Sequence, residues 1–143
     1  MRKLPVEYLR EGCAILDPVL NLSGFKFELG GSGASSGGPF AFGNYVSGDR
    51  RLELHHRFSL GMVIYHYGEL SVDHESYMRA VLGADGRNRY PGFSEEPLAA
   101  FEGLKFDLEH YASAFLLGNR EQFAHYAKAA EEWKQKSGFA RLR

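Results

Sequence analysis

The sequence predicts an α+β fold: an N-terminal helix, a four-stranded antiparallel meander sheet, and three C-terminal helices packed on one face. Three observations lead there. Apolar residues recur at helical spacing in the first twenty positions and again in the second half, and at two-residue spacing in between. No helical stretch separates one strand from the next, which disfavours parallel βαβ units and favours short antiparallel connections. Finally, 143 residues that are 44% hydrophobic and 24% charged suit one folded unit, so residues 1–143 are expected to form a single α+β domain.

The first helix is expected from Pro5 to Leu16. Val6, Leu9, Cys13 and Leu16 are spaced three, four and three, and Pro5 suits a first turn whose N–H groups are unbonded anyway. Asp17-Pro18 is expected to stop or kink it. Gly24 to Leu29 alternates as a half-buried strand does. The run from Gly30 to Gly38 holds five of the chain's 17 glycines, and its composition reads as a mobile linker between two strands. A phosphate-binding loop is disfavoured there, because the run contains no Lys and leads into Pro39-Phe40-Ala41-Phe42 rather than a helix.

Phe40 to Val46 is the second strand, and Ser47 to Arg50 a turn. Arg51 to Phe58 alternates cleanly, with Leu52, Leu54, His56 and Phe58 on one face and Glu53, His55 and Arg57 on the other. Ser59-Leu60-Gly61 fits a three-residue hairpin loop with Gly61 left-handed. That register sets Phe58 against Met62, His56 against Ile64 and Leu54 against His66, with Met62 to Tyr67 as strand four.

Asp73 or Ser71 then caps a short helix ending at Gly83. Ser94 is expected to cap the longest helix, whose stripe of Leu98, Phe101, Leu104, Leu108, Tyr111 and Phe115 ends at Gly118. Asn119 with Gln122 opens the last helix, striped by Phe123, Tyr126, Ala127, Ala130 and Trp133 and ended by Gly138.

Charge and cysteine content narrow the function classes. Seventeen Lys+Arg against 18 Asp+Glu leave a net charge of −1, which argues against a nucleic-acid or acidic-membrane binder. No apolar run reaches membrane-spanning length, and the charged opening residues lack a signal core, so a cytoplasmic protein is expected. The single Cys13 excludes an internal disulfide and falls on the first helix's apolar stripe, where burial is the ordinary outcome.

No motif assigns a reaction, a catalytic residue or a cofactor: nucleophile elbow, Walker and paired-cysteine patterns are all missing. His56 and His66 are expected on one sheet face, yet their apolar neighbours and the lack of a third ligand at a diagnostic spacing point to a core pair rather than a metal site. Asp107 with His110 reads as an ordinary helix-surface pair, His74-Glu75 as a helix first turn, and Lys134, Lys136, Arg141 and Arg143 as a solvated basic end. The opposite sheet face is the candidate binding surface: Glu53, His55 and Arg57, joined by Val63, Tyr65 and Tyr67. Tyr and Arg are the types enriched in recognition surfaces. The same set also fits a solvated face of cross-strand pairs.

The order of elements, with Leu16-Asp17-Pro18-Val19-Leu20, Gly24 to Phe27, Arg51 to His55, Ser59 to His66 and Tyr90-Pro91-Gly92-Phe93-Ser94, resembles small uncharacterised bacterial α+β proteins. Some of these are similar to immunity proteins that neutralise polymorphic toxins. The resemblance implies a non-enzymatic module that occludes another protein through a sheet face or edge; it supplies no catalytic residue. The other reading is a small-molecule binder or enzyme with His55 or His66 in a pocket between sheet and helices. An open sheet is also compatible with a homodimer formed by edge pairing or face to face.

Overall fold

The computed structural model describes residues 3–92 and 94–141, with the side chains of 85 and 137–141 excepted. Helix α1 (Pro5–Leu20) leads into strands β1 (Lys26–Ser35), β2 (Gly38–Ser47), β3 (Arg50–His56), β4 (Leu60–Tyr67) and β5 (Leu70–Asp73). Helices α2 (His74–Leu82), α3 (Ala99–Tyr111), α4 (Ser113–Leu116) and α5 (Arg120–Arg141) follow. The expected α+β order holds, but the antiparallel sheet has five strands, in the order β1-β2-β3-β4-β5. Among the described residues, no helix is long and apolar enough to cross a membrane.

The extra strand, β5, follows a two-residue turn at Gly68-Glu69, where Gly68 has φ +60°. Its four residues pair with Ile64 to Tyr67. So short a strand leaves almost no periodicity to read.

The Gly30–Gly38 run is not a linker. It forms the turn end of a hairpin of two ten-residue strands, turning at Ser36-Gly37. The glycines there make room rather than confer mobility. A Cβ on Gly30 would lie 2.4 Å from the Phe42 ring, and one on Gly31 3.1 Å from it. Phe42 thus lies flat over bare backbone, a sheet device in which an aromatic ring covers glycine.

Helix α1 runs through Pro18, against the expected stop. A helical proline costs about 3 kcal/mol. Leu16 and Leu20 on either side are fully buried, and burying each contributes about 1.5–3 kcal/mol. The Tyr45 hydroxyl also anchors this turn, 2.7 Å from the Asp17 carboxylate and 3.0 Å from the Cys13 carbonyl.

The expected long helix from Ser94 is split. Ser94 accepts only a local bond from Glu96 N–H, α3 starts at Ala99, and the chain breaks at Ala112 before α4. The break lets buried Ala114, Phe115 and Leu116 turn under the sheet. Two caps follow expectation: Asp73 accepts from Ser76 N–H, and Asn119 from Gln122 N–H. Gly138 does not end the last helix, which continues to Arg141. Phe93, Leu142 and Arg143 lie outside the described residues.

The core lies between the inner sheet face and the helices. Tyr45, Leu52, Leu54 and Tyr65 are fully buried there, against Leu9 and Leu16 of α1, Phe101 and Leu104 of α3, and Phe115 and Phe123.

Candidate functional site

Strand β3 alternates as expected as far as its end at His56, with Leu52, Leu54 and His56 buried and Arg51, Glu53 and His55 half-buried on the outer face. Phe58, expected on the buried face, is exposed in the loop beyond it. The β3–β4 register differs from expectation by three residues: Leu54, expected opposite His66, pairs with Val63. His56 pairs with Leu60, but His55 pairs with Met62, so Gly61 is an extra, bulged residue. The loop is Arg57-Phe58-Ser59, and Gly61 is not left-handed. A slip by an odd number of residues exchanges the faces of a strand. Val63, Tyr65 and Tyr67 therefore turn into the core, while Met62, Ile64 and His66 join Glu53.

This corrects two of the five expected binding residues. Tyr65 is fully buried opposite Leu52, its hydroxyl 2.7 Å from Nδ1 of His74. Tyr67 is buried and donates to the Gly118 carbonyl. Glu53, His55 and Arg57 do lie on the outer side. His56 and His66 occupy opposite faces, so they form no pair.

Glu53 is the hub of the outer face. One carboxylate oxygen lies 2.5 Å from Nε2 of His55, the other 2.8 Å from Nε2 of His66. Arg51 Nη1 is 3.6 Å away and donates to the Asn44 side chain. Partial burial works to raise the Glu53 pKa. The bonds from His55 and His66, reinforced by their charge, outweigh it and hold the carboxyl below its usual value.

Beside the hub, Phe42 stacks on His55 at 5.4 Å between centroids, and Arg57 lies over Phe40 at 5.7 Å. Arg57 also donates to the Gly38 carbonyl and Ser35 hydroxyl, tying the tip of the β1–β2 hairpin to the β3–β4 loop. Phe40, His55, Arg57, Phe58 and Met62 border a cleft of about 320 Å³. Phe58 is 81% exposed, unusual for a phenylalanine.

Both Glu53 oxygens are engaged by imidazoles, one by His55 and the other by His66. Among the described residues, no group of three or more His, Cys, Asp and Glu is arranged to share an ion. Cys13 is buried, and desolvation pushes its thiol up to about 11, a resting thiol rather than a nucleophile.

A second polar cluster lies inside the core. Nε2 of His74 meets Asp107 at 2.8 Å, and Asp107 also accepts from the backbone N–H groups of Arg89 and Tyr90. With Nε2–H donated to Asp107, Nδ1 accepts from Tyr65, and every group is satisfied by a neutral ring. His74 does open the first turn of α2, as expected, but its ring is buried, and Asp107 does not pair with His110. His110 instead bonds the Phe106 carbonyl and stacks on its ring at 3.9 Å. One sequence signal could have exposed Asp107: it lies three residues after Leu104, on the apolar stripe. Nothing in the spacing points to His74, 33 positions earlier. Lys134 of the basic end pairs with Asp73.

Comparison of the chain with protein-family models, with curated proteins and with solved structures finds no match.

Proposed function

We propose that this chain is a non-enzymatic, immunity-like binding module whose outer sheet face occludes an acidic surface of a partner protein. One observation carries the reading: Arg57, His55, exposed Phe58 and exposed Met62 converge on one cleft at the β3–β4 loop end of the sheet. Aromatic, Met and Arg side chains are the anchors of protein interfaces. The charge of the face favours an acidic partner. Arg51, Arg57 and Lys26 outnumber Glu53 and Glu28, and Asp73, which pairs with Ile64 on the same face, is matched by Lys134. The rigid five-stranded platform keeps the ordering cost of binding low. The small-molecule alternative placed His55 or His66 between sheet and helices; both side chains belong to the outer face.

The test is affinity capture from the native cell followed by reconstitution with the purified partner. Phe58→Asp and Arg57→Ala should each weaken the reconstituted complex at least tenfold, while Arg79→Ala, on α2, leaves it unchanged. Equal affinity across all three variants overturns the outer-face reading.

A further inference from the structure

We infer that the open edge of β1 pairs two copies of this chain into a weak antiparallel dimer, centred on Phe27. The two sheet edges are unlike. β5 has four residues and is flanked by α5, with Lys134 bonded to Asp73 at 2.6 Å. β1 has ten residues, pairs only with β2, and among the described residues nothing pairs with its other side. A long open edge exposes a row of unpaired N–H and C=O groups that a further strand can complete.

The charges on β1 select the occupant. Lys26 and Glu28 lie opposite Val46 and Asn44, both exposed and on the same sheet face. About a two-fold axis through Phe27, Lys26 of each copy lies across from Glu28 of the other. An edge lysine ordinarily repels an added strand; here it meets a carboxylate twice. The irregularity between Leu29 and Gly31 separates Lys26–Leu29 from Gly31–Ser35, and only the first segment carries charges to match, which favours this register. Leu29 is 43% exposed and Leu22 is 90% exposed, apolar residues flanking the same edge. So short a pairing buries less than a standard interface, so the dimer is concentration-dependent.

Sedimentation equilibrium of the full chain, from micromolar to millimolar protein, tests this. The mass-average should climb from 16.1 kDa towards twice that value. Glu28→Lys and Lys26→Glu should each weaken dimerisation about tenfold or more, and the Lys26→Glu/Glu28→Lys double swap should restore it. Circular dichroism checks that each variant is folded. A chain that stays monomeric at all concentrations overturns the proposal. So does a dimer indifferent to these charges, which would use another face.

Discussion

The fully buried Asp107 carboxylate accepts a hydrogen bond from Nε2 of His74, and with it the backbone N–H groups of Arg89 and Tyr90. One side chain thus ties α3 to α2 and to the segment that precedes α3. His74 passes the connection to Tyr65 in the middle of the sheet.

Removing that carboxylate strands two buried donors and one part-buried donor. Asp107→Ala should destabilise the fold by about 3–5 kcal/mol, because each buried donor left unsatisfied costs about 1–3 kcal/mol. Urea unfolding at neutral pH, compared with the wild type, measures it. A loss below about 1 kcal/mol, as at a surface site, would count against the network.

Acid should weaken the fold through His56. Its ring is almost fully buried between Tyr8 and Phe101, and among the described residues neither nitrogen meets a side-chain hydrogen-bond partner. Burial holds its pKa below the usual histidine value, against a smaller opposing pull from the Arg57 backbone. The unfolded chain therefore takes up this proton first as pH drops. The stability is fully present above the unfolded value of about 6.5 and is lost as pH falls from there through the lower folded value. Urea midpoints between neutral pH and pH 5 should show this slope in the wild type and a shallower one in His56→Phe. Parallel slopes would remove His56 as the cause.

Gly12 shows which of two opposing effects wins. In an open helix, Gly→Ala stabilises by about 1 kcal/mol. Here a Cβ would stand 2.2 Å from the Phe101 ring, where α1 crosses α3. Overpacking of that kind costs about 1–3 kcal/mol, so Gly12→Ala should lower Tm. The added Phe101→Leu substitution should recover part of the loss, and a Tm that rises in Gly12→Ala would show the contact to be loose.

The β3–β4 register makes a paired prediction. Tyr65→Ala should cost about 3–5 kcal/mol, as for other large buried rings. His66→Ala, one position along on the outer face, should cost under about 1 kcal/mol, because it loses only a half-exposed bond to Glu53. The opposite ranking in thermal melts would mean that the strand faces are exchanged.

The split between sequence and tertiary structure follows the range of the forces involved. Local signals are legible in the sequence. The stripe of α1, the period of β3 and the caps at Asp73 and Asn119 each depend on residues within a turn or two. Glu53, His55 and Arg57 could be assigned together because one strand's alternation is enough to group them. What spacing cannot supply is pairing. The Gly61 bulge is set by how Leu60 and Val63 bury against the helices, and it moves Tyr65 and Tyr67 inward and His66 outward. The glycines at 30–31 read as freedom until Phe42, eleven or more positions later, is seen lying over them. His74 and Asp107 meet only because the core closes around them. By itself the sequence determined the α+β class, the order of its helices and most of its strands, and one face of one strand. The tertiary structure decided which side chains share a surface, because that depends on contacts between residues far apart in the chain.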